Sequence, residues 1–122
     1  VKTRTLESLS SAIEIATGLA LLVVPELVAR VLLGAGLSDG GIAVARLAGC
    51  GLLALGLACW PGRIEPASQA TRALFTYNLL AGLYLGYLRA GGGFVSFLLW
   101  PACVLHVVLA ILLARPAYRT FR

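Results

Sequence analysis

Charge is the scarcest feature of this 122-residue chain: acidic and basic side chains make up 12% of it, against about 25% in an average soluble domain. With 60% of the residues apolar and a further 14 glycines, there is too little polar surface to clothe a water-soluble globule, which excludes a soluble enzyme. The same composition excludes a disordered chain. There are three cysteines, none in a paired spacing, so a disulfide scaffold, a zinc ribbon and a C-x-x-C redox pair are excluded. The single histidine, His106, cannot furnish a bis-His haem site within one subunit. Neither a nucleotide-binding glycine loop nor a run of charged residues along a pathway is present. What remains is an integral membrane protein made of little besides its spans.

Four apolar stretches are present, at about 8–30, 41–60, 70–89 and 94–114. Each approaches the ~20 residues that a helix needs to cross ~30 Å of hydrocarbon. No segment alternates apolar and polar residues as a lipid-facing barrel strand must. The breaks hold Gly34, Gly36, Asp39, Gly40 and Gly41, then Pro61, Gly62, Arg63, Glu65 and Pro66, then Gly91, Gly92 and Gly93. Connections this short predict an all-α, up-down-up-down antiparallel four-helix bundle as a single domain over residues 1–122. Pro25 marks either a helix start or a kink within the first stretch.

With the N-terminus inside, Lys2, Arg4, Arg63, Arg72, Arg115, Arg119 and Arg122 fall on the cytoplasmic side, whereas Arg30 and Arg89 fall outside and Arg46 sits a little within the second helix. This bias predicts a multi-pass protein of the bacterial inner membrane with both termini cytoplasmic. Glu14 interrupts the apolar run of a would-be signal peptide, so the first helix is expected to stay as an uncleaved anchor. The net charge of +5 is a topology signal: the basic residues form no stripe with interleaved aromatics, so no nucleic-acid partner is expected, and contact with anionic headgroups accounts for them. Trp60, Tyr84, Tyr87, Phe94, Tyr118 and Phe121 lie at span ends, as in an aromatic belt.

Helices in lipid associate through close backbone approach and interhelical hydrogen bonds. Gly41, Ala45 and Gly49, and likewise Asn78, Gly82 and Gly86, form two small-residue stripes at i, i+4 spacing and are the expected packing faces. The ionisable groups within the spans are Glu14, Glu26, Arg46 and His106. If the first helix starts near Leu6, then Glu14, Asn78 and His106 each lie about 12 Å inside their cytoplasmic helix ends, a polar layer able to hold a proton on Glu14 and bridge it to His106. Two structural readings compete. Ser11 and Glu14 match the S-x-x-E capping box, which would start the helix at Ala12, and Asn78 and His106 would serve as a cross-link between the last two helices. Glu26 and Arg46, at similar depth in adjacent helices, predict a structural ion pair, with Glu26–Arg30 pairing at i, i+4 as the alternative and an anion site on Arg46 as a third. Cys50 and Cys103 are expected near one depth, and Cys103 shares a face with His106, an arrangement a soft metal would accept; free cysteines acting as small apolar residues explain them equally. No metal or cofactor is expected.

Four short helices with an acidic residue in the first resemble the small multidrug resistance exporters, in which an intramembrane Glu exchanges protons for cationic drugs. The run E-I-A-T-G-L-A-L-L at residues 14–22 is similar to the DoxX-like group of small four-helix bacterial membrane proteins, some of them linked to quinone or thiol redox systems. The first expectation for function is a non-catalytic structural, assembly or accessory subunit of a membrane complex, or a homo-oligomer, with the lipid bilayer and other membrane subunits as partners. The alternative is a proton-linked carrier or binder of a small hydrophobic, quinone-like ligand built on Glu14, Asn78 and His106. A redox protein using the thiols is the third.

Overall fold

A computed structural model describes residues 2–62 and 68–120. Arg63, Glu65 and Pro66 of the second break, and Phe121 and Arg122 at the end, lie outside the described residues. The described chain is helical, with α1 (Thr3–Val23), α2 (Pro25–Leu33), α3 (Asp39–Ala58), α4 (Ser68–Ala90) and α5 (Leu99–Thr120).

The first apolar stretch is two helices. Pro25 lacks an N–H and its ring would clash with the preceding turn, so α1 stops at Val23 and Pro25 becomes the first residue of α2. Gly34 closes α2 at φ 70°, a left-handed conformation that glycine adopts without a Cβ penalty. Ser38 then caps α3, its Oγ accepting from the Gly41 N–H at 3.1 Å. The last helix begins at Leu99 and not at Phe94, with Pro101 in its first turn, where its missing N–H has no partner to lose, and with Pro116 inside it. Residues 94–98 form an irregular segment laid against α2: the Ser96 hydroxyl donates to the Val31 carbonyl, and the Val95 carbonyl lies so close to Gly34 that a Cβ there would meet it at 2.8 Å.

Two antiparallel pairs make up the bundle, α1 with α3 and α4 with α5, and α1 lies against both helices of the second pair. The first seam is glycine on glycine. A Cβ on Gly18 would sit 2.6 Å from the Leu53 N and 2.8 Å from the Gly49 carbonyl, and one on Gly56 would sit 2.7 Å from the Ser11 carbonyl. In the second pair a Cβ on Gly82 would press on Val107 at 3.0 Å. Leu6, Cys59, Leu74 and Leu113 form a small apolar cluster where the start of α1 meets the end of α5.

Polarity is inverted relative to a soluble domain. The buried side chains include Glu7, Ser10, Ser11, Glu14, Thr71 and Asn78, while Val44, Leu47, Leu83 and Ile111 are among the exposed ones. Three helices are long and apolar enough to cross a membrane: Thr3–Val23, Asp39–Ala58 and Leu99–Arg119. α4 is as long, but Gln69, Thr71, Arg72, Thr76 and Asn78 lower its hydropathy, so three apolar helices and a mixed one stand where four apolar spans were expected.

Candidate functional site

The site begins as a stripe on α1. Glu7, Ser10, Ser11, Glu14 and Gly18 are spaced by three or four residues, hence share one helix face, and all five are buried. Glu7 and Ser10 on this face meet α4, while Ser11 and Gly18 lie against α3. Thr71 of α4 donates its hydroxyl proton to Glu7 Oε1. Two turns further along α4, Asn78 uses its whole amide: Nδ2 donates to Ser10 Oγ at 2.9 Å and to the Leu74 carbonyl at 2.8 Å, and Oδ1 lies 2.8 Å from His106 Nδ1 on α5. Because an amide oxygen only accepts, His106 carries its proton on Nδ1 and leaves Nε2 as the acceptor nitrogen. Tyr77 stands edge-on to the His106 ring, centroids 5.7 Å apart.

Glu14 shares this face with the bonded residues. It is 1% exposed, yet neither carboxylate oxygen has a hydrogen-bond partner. Tyr77 is the polar side chain set against it and interacts with the carboxyl, and its ring also meets that of His106. Glu7 Oε2 and Ser11 Oγ are also buried without partners.

The capping reading of Glu14 does not survive. α1 starts at Thr3, with Lys2 as its N-cap residue, so Ser11 and Glu14 are interior and Glu14 lies about three turns, roughly 16 Å, from the helix start. Asn78 and His106 are brought together, but Glu14 is not bonded to either; Ser10, not Glu14, lies opposite Asn78. Glu26 is bonded at 3.2 Å to Arg30, its i, i+4 neighbour, and accepts the Leu37 N–H at 3.2 Å. Arg46 is exposed on α3, so the Glu26–Arg46 pair expected from depth is replaced by the local one.

Among the small residues, Gly49 meets Gly18, which the stripe reading overlooked, whereas a Cβ on Gly41 would meet only Leu37 and Ser38 of its own cap at 3.4 Å. Ala45 is half-buried, and Gly86 faces Cys103 at 3.6 Å. Cys103 is buried with its Sγ donating to the Gly82 carbonyl at 3.4 Å, while Cys50 is exposed on α3, so the two thiols do not share a site. Among the described residues no three of His, Cys, Asp and Glu converge as metal ligands.

Glu7, Ser10, Ser11 and Thr71 are the seam residues that sequence reasoning missed. Their signal was available: the i, i+3, i+4, i+7 spacing of polar residues in α1 is that of an amphipathic helix, and in an apolar chain the polar face is the one that turns inward.

A groove of about 580 Å³ between α3 and α4, lined by Leu55, Arg72, Ala73, Thr76, Tyr77 and Leu80, opens on the side of Tyr77. Tyr77 is the side chain that this groove shares with the Glu14 neighbourhood. No protein family, curated protein or solved structure matches this chain.

Proposed function

We propose that the chain is a four-span membrane protein, its N- and C-termini both cytoplasmic, in which the polar seam binds a proton together with a small membrane-soluble ligand. The observation that carries this reading is Glu14: a carboxyl buried to 1% exposure with both oxygens unpartnered. An ionised group left so in a low-dielectric interior costs several kcal/mol, and intramembrane carboxyls are for that reason kept where a proton, an ion or a ligand completes them. Tyr77 supports it, since the same side chain stands beside Glu14 and lines the groove between α3 and α4, a path a lipophilic molecule could take from the bilayer. The likeness to proton-coupled small exporters and to the DoxX-like group agrees with a carrier or quinone-like binder, without choosing between them.

The test is Glu14→Gln in the full chain, reconstituted in vesicles. Infrared difference spectra across a pH titration should show a carboxyl signal that the variant lacks, and lipophilic small molecules co-purifying with the wild type should be lost from a variant that still folds and inserts. Unchanged spectra and unchanged bound molecules in Glu14→Gln would overturn the proposal.

A second reading, an accessory subunit of an inner-membrane complex or a homo-oligomer, draws on α3. That helix packs chiefly on α1 and leaves Val44, Leu47 and Leu57 exposed, a face available to another subunit. Wild-type behaviour of both Glu14→Gln and His106→Ala would favour it.

A further inference from the structure

α4 and α5 form a surface groove in two connected parts, lined by none of the seam residues. The apolar part, about 310 Å³, runs between Leu79 and Leu83 of α4 and Val107 and Ile111 of α5. Phe75 and Ala114 line this part and also the next, a depression of about 560 Å³ that ends at Arg115, Tyr118 and Arg119. Val107, Ile111, Ala114, Arg115, Tyr118 and Arg119 recur at three- and four-residue spacing, so one face of α5 changes from apolar to doubly cationic along its length. From Val107 to Tyr118 is about 16 Å of helix, close to one leaflet of a ~30 Å hydrocarbon core.

We propose that this groove is a binding site for one anionic phospholipid, with an acyl chain lying along Leu79, Leu83, Val107 and Ile111 and the phosphate held by Arg115 and Arg119. The charge complementarity decides the occupant. An apolar groove in a bilayer accepts any acyl chain, but two arginines one helical turn apart at its mouth, on the end of the molecule where Arg4 also lies, select a negative headgroup. The inference stands apart from the Glu14 reading, since it uses none of the seam residues.

Native mass spectrometry of the full chain in mild detergent, incubated with phosphatidylglycerol or phosphatidylcholine, tests it. The expected result is one retained phosphatidylglycerol per chain where phosphatidylcholine is not retained, with retention falling roughly tenfold in the Arg115→Gln, Arg119→Gln double variant. Ala114→Phe, which fills the junction of the two parts with both arginines present, should lower retention as well; Ile111→Trp, at an exposed position, serves if Ala114→Phe does not fold. Arg46→Gln should leave retention unchanged. Equal retention of the two lipids overturns the proposal. So does loss in the arginine variant without loss in the groove-filling one, with full displacement by glycerol phosphate, because the headgroup alone would then be bound. A dimer that Ala114→Phe abolishes, with no change in lipid, would assign the groove to a second copy and overturn it too.

Discussion

Asn78 is the residue on which most of the buried polar seam depends, because it alone joins three helices: Ser10 of α1, its own α4 through Leu74, and His106 of α5. A buried donor or acceptor stripped of its partner costs about 1–3 kcal/mol. Asn78→Leu strands His106 Nδ1 and Ser10 together, whereas Ser10→Ala removes one bond and leaves Asn78 with two. Denaturant titration in mixed micelles should therefore show a loss of about 1–3 kcal/mol for Asn78→Leu and a clearly smaller loss for Ser10→Ala. The reverse order would show that the three-helix junction is held elsewhere. Glu14 stands in contrast to Asn78: equally buried, but unbonded, so its retention is hard to explain by stability alone.

At the scale of elements, the α1–α3 pair rests on backbone approach. Gly18 and Gly49 each face the other's carbonyl at a distance a Cβ would reduce to 2.8 Å, and in lipid such contact is a main source of helix association. Gly51, two residues from Gly49, has nothing within 4 Å of its would-be Cβ. Gly49→Leu should thus separate α1 from α3 or prevent folding, while Gly51→Leu should leave thermal stability in detergent unchanged or slightly raised, leucine being the better helix former by roughly 0.5–1 kcal/mol. Equal tolerance of both would mean that the pair is not packed as described. The prolines act at this scale as well, Pro25 dividing the first apolar stretch and Pro101 standing in the first turn of α5.

At the scale of the whole molecule, the start of α1 and the end of α5 meet in the cluster of Leu6 and Leu113, with Arg4, Arg72, Arg115 and Arg119 at or near that end and Arg30 and Arg89 toward the other. If the basic excess sets orientation, reporters fused after Arg122 will read cytoplasm and reporters placed at residues 36–38 or 91–93 will read the outside. An external C-terminus would reverse the assignment and place the Arg115–Arg119 end of the α4–α5 groove in the outer leaflet.

The helical class and the glycine breaks at residues 34–41 and 91–93 were legible in the amino-acid sequence, because both depend on local causes: long runs of apolar residues, and the glycines that interrupt them. The α1 partner of Asn78 and the separation of Cys50 from Cys103 were not legible, since depth counted along separate helices does not fix which faces meet. The packing of α1 on α4 sets Ser10 opposite Asn78 and Glu14 against Tyr77. Likewise Glu26 chose Arg30 over Arg46, as a partner one turn away on the same helix needs no interhelical register. Periodicity along one chain specifies which residues share a face; which face meets which is settled only when the helices pack, because it depends on glycine contacts such as Gly18 with Gly49 that exist between segments and in neither alone.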